Sequence, residues 1–154
     1  MEFDHAFSVA APIDAVWTTI TDIERAAPCV PNTRVTASAG PDSYNVEITA
    51  AVGPFEITSE GTITLAERDD AARREVLKVI AADADGDQLA EATVTIVLTE
   101  GAETTDAAVH SSVELDGIGA FVGEETLDQV AGNTLQAFAA NLERLLREAP
   151  EQSS

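Results

Sequence analysis

Two histidines, one cysteine and a large excess of carboxylates are the side chains in this sequence with the means to do chemistry. Cys29 stands beside Pro28 and Pro31 with no histidine nearby in sequence to take its proton, so a nucleophilic thiolate is not expected there. His5 keeps register with Phe3 and Phe7 and should point inward, as a buried ring bonded to neighbouring backbone rather than as a ligand. His110 shares its face with Asp106, Ser112 and Glu114, a face expected to meet solvent. One cysteine and two distant histidines do not make a zinc pattern. Asp83, Asp85 and Asp87 alternate around Gly86 in the manner of a calcium loop. The twelfth place counted from Asp83 is Val94, where such a loop needs glutamate, so a solvated hairpin turn is expected instead. Neither a dinucleotide fingerprint nor a phosphate loop occurs. This inventory argues against an enzyme: no catalytic residue, metal ligand or covalent cofactor is expected.

The elements that would position any site follow from periodicity. Phe3, His5, Phe7 and Val9 alternate with polar or small residues, as in a strand with one buried face. Pro12 then stands where a helix can start, and Ile13, Val16, Trp17 and Ile20 fall on one helical face, with Trp17 as a packing anchor. Residues 22–29 suit a further turn or two, interrupted by Pro28 and Pro31. From Arg34 onward turn-forming residues separate six strands, a pattern for an antiparallel meander with one wet side. Tyr44, Val46, Ile48, Ala50 and Val52 share a face, as do Phe55, Ile57, Ser59, Gly61, Ile63 and Leu65 across the Gly53-Pro54 turn. Leu77 and Val79, then Val94, Ile96 and Leu98, then Val109, Ser111, Val113 and Leu115 are the later inward rows; residues 74–80 are apolar on both faces, which leaves their facing open. Residues 119–147 hold no proline and carry a helical stripe of Leu127, Val130, Ala131, Leu135, Phe138, Leu142, Leu145 and Leu146. Gly123 and Gly132 within it signal a close approach or a bend.

The totals restrict the partners. A chain of 154 residues holds one core, here a domain over 1–147 followed by a polar tail over 148–154. With 28 acidic against 8 basic residues the net charge is −20, which disfavours nucleic acid and repels anionic lipid. The start Met1-Glu2-Phe3-Asp4-His5 lacks the features of a secretory leader, and one cysteine forms no internal disulfide, so a cytoplasmic location is expected.

The order strand, short helices, six-strand meander and long helix resembles the START-like (SRPBCC, Bet v 1-like) superfamily. Residues 7–17 (Phe7 to Trp17), Asp22-Ile23-Glu24-Arg25, Cys29-Val30-Pro31-Asn32 and Val52-Gly53-Pro54-Phe55 are together similar to the CoxG family of carbon monoxide dehydrogenase proteins. Asn32 departs from the glycine that relatives often carry. The resemblance implies an α+β helix-grip fold, a curved sheet of about seven strands around the long helix. It also implies a companion of a carbon monoxide dehydrogenase-type molybdenum enzyme, reaching the inner face of the membrane. The expected function is non-catalytic binding of a lipophilic molecule, a respiratory quinone such as menaquinone, carried to that enzyme; the alternatives are an accessory protein that recruits the dehydrogenase to the membrane, and a polyketide-cyclase-like enzyme. The candidate ligand-binding residues are Phe55, Ile57, Leu77, Val79, Val94, Ile96, Val109, Ser111, Phe121, Leu127 and Val130. Small inward residues such as Ser59, Gly61 and Ser111 would leave room beneath the helix. The Pro28–Asn32 loop, the Gly53-Pro54 hairpin and the start of the long helix form the expected tip for transient membrane contact.

Overall fold

A computed structural model describes residues 1–52, 54–82, 88–115 and 123–148. The chain runs β1 (Glu2–Val9), α1 (Ile13–Ile20), α2 (Ile23–Ala26), a 3-10 turn (Ala27–Cys29), β2 (Thr33–Gly40), β3 (Ser43–Val52), β4 (Phe55–Asp69), β5 (Arg74–Ala82), β6 (Gln88–Glu100), β7 (Thr105–Leu115) and α3 (Glu124–Glu148). All seven strands form one antiparallel sheet in the order β1-β7-β6-β5-β4-β3-β2. The meander β2 to β7 is the six-strand run read from the turns. This is the helix-grip arrangement, with α3 lying over the inner face.

Register fixes the inner face that periodicity outlined. Tyr44, Val46 and Ile48 stand opposite Ile63, Gly61 and Ser59, so the two alternating rows across the Gly53-Pro54 turn belong to one face. Ile63 and Leu65 continue to Val79 and Leu77, these to Ala92 and Val94, and Val94 and Ile96 to Ser111 and Val109. The open question over residues 74–80 is thereby settled: Glu75, Leu77 and Val79 face in, while Val76, Lys78 and Ile80 face out.

Irregularities bend the sheet at useful places. A register shift between Leu65 and Glu67 makes Arg68, not Glu67, the partner of Glu75, so two carboxylates do not confront each other on the inner face. At Gly61 a Cβ would lie 2.7 Å from the Ile80 carbonyl oxygen, so this strand glycine permits a close backbone approach. Asn32 has φ 59°, a left-handed conformation that asparagine tolerates better than most residues, and it therefore fills the turn where relatives often carry glycine.

The packed core gathers at one end of the grip. Leu142, Phe138 and Ala139 of α3 meet Phe7, Val9, Val16, Trp17, Ile20, Ile96, Leu98, Ala107 and Val109 there, and Phe7 packs edge-on against Phe138. Gly132 lies 3.5 Å from the His5 ring, which explains the glycine as a close approach of α3 to β1. Gly123 is different: it precedes α3, a Cβ there would meet open space, and its carbonyl accepts the Leu127 N–H at 3.0 Å.

Candidate functional site

The flanks of α3 are held differently. On one, Asp128 and Gly132 approach β1, and Asp128 Oδ1 lies 2.9 Å from His5 Nε2. A backbone partner is expected for His5 from its place in the strand; its observed partner is this helix carboxylate. On the other flank, Asn141 Nδ2 donates to the Cys29 carbonyl oxygen at 2.8 Å. With 3.6 residues per turn, Leu127, Val130, Thr134 and Ala137 fall on the Asn141 flank, the side turned away from β1 and toward the rest of the concave sheet. That flank is incompletely covered: Leu127 is half-buried and Val130 is 52% exposed.

Burial along the inner face rises in one direction. On β5 it runs from half-buried Val79 and Leu77 to fully buried Glu75; on β6 from half-buried Val94 to buried Ile96 and Leu98; on β7 from half-buried Ser111 to buried Val109 and Ala107. An apolar groove therefore deepens toward the packed end under α1. Leu77 and Val94, and Val94 and Ser111, are direct cross-strand partners, so these three predicted ligand residues adjoin. Ile96 and Val109 are also paired but belong to the filled core, with Leu77 and Val94 at its half-buried margin. Phe55 and Ile57 pair through backbone with Val52 and Ala50, their side chains being outside the described ones; Phe121 and the Asp83 to Asp87 turn lie outside the described residues.

Two clefts stand apart from this groove. One of about 270 Å³ opens between α1–α2 and β3–β4, with Thr21, Asp22, Tyr44 and Arg68 on its walls. Another of about 620 Å³ lies between the start of α1 and the end of α3, against Pro12, Ala15, Leu146 and Arg147. None of the predicted ligand residues lines either cleft.

Electrostatics single out a residue that sequence reasoning passed over. Glu75 is 0% exposed, and neither carboxylate oxygen has a hydrogen-bond partner. Burial pushes its pKa from 4.5 up to about 8, opposed weakly by the Arg68 charge. Arg68 stands opposite it but donates from Nε to Asp70 at 2.8 Å, and Asp70 also accepts the Trp17 indole N–H at 2.8 Å. These two hydrogen bonds hold the Asp70 carboxyl below its usual range. Arg73, 5.9 Å from the centre of the Trp17 ring, also pairs with Asp14, so α1 is tied to the β4–β5 hairpin directly above the deep end. The signal for Glu75 was present in the alternation: if Leu77 and Val79 face inward, residue 75 must as well.

The remaining chemical groups behave structurally. The Cys29 thiol is buried, directed at the Arg25 carbonyl oxygen, and desolvation raises its pKa, the opposite of an activated nucleophile. His110 is on the exposed face as expected, between Asp4 at 2.7 Å and Glu2 at 3.1 Å, whose hydrogen bonds raise its pKa.

A deepening apolar groove under a long helix is an arrangement with known relatives. The sequence profile of the CoxG family of carbon monoxide dehydrogenase matches residues 6–147. The chain belongs to the CoxG family. No curated protein matched. Among solved structures, a conserved protein from Geobacillus kaustophilus superposes with a TM-score of 0.83 at 17% identity, over 97% of each chain. An aromatase/cyclase from Streptomyces superposes at 0.64 and 17% identity, over 97% of this chain and 94% of that one. A START superfamily protein from Mycobacterium smegmatis superposes at 0.62 and 15%, over 96% and 97%. At such identities the likeness establishes the shared fold of this CoxG-family chain. Among the described residues no helix is long and apolar enough to cross a membrane.

Proposed function

We propose that this CoxG-family protein binds a lipophilic small molecule without transforming it, and that the molecule is a respiratory quinone such as menaquinone. The observation that carries this reading is the unequal filling of the grip: one end is closed by Phe138 and Leu142, while Leu77, Val79, Val94, Leu127 and Val130 keep accessible apolar surface on facing elements. Covering such surface with an apolar ligand gains roughly 25 cal/mol per Å² removed from water, before ordering costs. The family name supplies the destination: a carbon monoxide dehydrogenase-type molybdenum enzyme, whose electrons would leave on the carried quinone. Transient membrane contact through the tip that includes the Pro28–Asn32 loop would load it.

The same family name favours a second reading, an accessory protein that recruits the dehydrogenase to the membrane. Mass spectrometry of an organic extract from detergent-free protein, beside a native spectrum of the intact chain, separates the two. Stoichiometric quinone or lipid is the expected result; a clean apo spectrum that persists after incubation with menaquinone would favour recruitment.

A further inference from the structure

An unbonded carboxyl in an apolar interior is costly, because it has given up water without gaining another partner. Glu75 is such a group at the deep end of the groove: it is fully buried, faces inward and leaves both oxygens unpaired. Local rearrangement within the hairpin does not readily relieve this, since Arg68, its cross-strand neighbour, is engaged by Asp70 and Asp70 is further held by Trp17. The other cross-strand neighbour, Ile96, has nothing to offer. Two residues further along β5 on the same face, about 7 Å away at the rise of a strand, Leu77 begins the half-buried apolar stretch.

We propose that Glu75 is the polar anchor of the ligand site, hydrogen-bonding a carbonyl or hydroxyl oxygen at one end of an otherwise apolar ligand whose remainder lies along Leu77, Val79 and Val94. This rests on the reading of the protein as a binder of lipophilic molecules and adds the ligand's orientation: polar end beneath α1, apolar end toward the open flank of α3. A carboxyl that burial keeps protonated at neutral pH offers one donor and one acceptor. It can therefore donate to a carbonyl or accept from a hydroxyl, which suits a molecule that alternates between ketone and alcohol oxidation states.

The test uses the full chain with two probes, a naphthoquinone bearing a short isoprenoid tail and the naphthalene hydrocarbon with the same tail. Wild type is expected to prefer the quinone by about tenfold, the usual net worth of one neutral hydrogen bond. Glu75→Leu should bind both probes about equally, and Glu75→Gln, which keeps a donor and an acceptor, should retain the preference. The infrared carbonyl stretch of the bound quinone should move to higher frequency in Glu75→Leu as its hydrogen bond is lost. Binding of both probes with an unchanged ratio and carbonyl band in Glu75→Leu would overturn the anchor and leave the ligand reading standing. Failure of wild type to bind either probe would overturn both.

Discussion

The two halves of the grip are built from the same strands and the same helix, yet one is a core and the other a groove. At the closed end Leu142 is fully buried, Phe138 meets Phe7 edge-on, and α1 brings Val16, Trp17 and Ile20 down onto Ile96 and Leu98. At the open end the sheet presents Leu77, Val79 and Val94, and α3 presents Leu127 and Val130, but α1 does not reach this far. Apolar patterning alone therefore does not decide what is filled; the third element does. The helix is also fastened unevenly, to β1 by Asp128 and His5 and to the 3-10 turn by Asn141. Both fastenings leave its remaining flank beside the groove.

Substitutions should separate the halves. Leu142→Ala at the closed end is expected to cost roughly 2–5 kcal/mol, read from urea unfolding, because a cavity opens in a close-packed region. A loss below about 1 kcal/mol would mean that this end is not the tightly packed one.

Next in size is the pH dependence set by Glu75. Its folded pKa of about 8 lies above the value of 4.5 for the free side chain, so between those limits the native state holds a proton that the unfolded chain has released. Its contribution to stability is therefore fully present below pH 4.5, falls as pH rises, and is gone once pH has passed about 8. The decline should be of the order of a few kcal/mol, and Glu75→Gln should flatten it. Parallel pH profiles for the two proteins would contradict burial of the carboxyl.

A smaller effect is expected at the seam between the halves. Trp17→Phe removes the indole donor to Asp70 and should cost about 1 kcal/mol, with Arg68 still bonded to Asp70. Least of all, Val130→Ser should leave stability within about 0.5 kcal/mol of wild type, since the side chain is half exposed, while weakening binding of the naphthoquinone probe severalfold. Equal affinity in the two proteins would remove the open flank from the site.

How much of this could be read in advance differs by level. Strand alternation, the turn residues and the long helical stripe gave the element order, because each rests on local periodicity. The inward rows at Val94, Ile96, Val109 and Ser111 were legible for the same reason. Glu75 was not picked out, although the row that holds Leu77 and Val79 includes it: the run Val76-Leu77-Lys78-Val79-Ile80 is apolar on both faces and hides its own alternation. Its pairing with Arg68 depends on the register shift after Leu65, which no local pattern announces. His5 and Gly132 were each noticed, but their meeting with Asp128 joins residues more than a hundred positions apart.

That the unfilled half of the grip receives a lipophilic ligand is tested most directly by methyl nuclear magnetic resonance during titration with the short-tailed naphthoquinone. Saturable shifts concentrated on Leu77, Val79, Val94, Leu127 and Val130, with Leu142 and Leu98 nearly still, are predicted. Shifts confined to the outer sheet face, or none at all under saturating probe, would contradict the account.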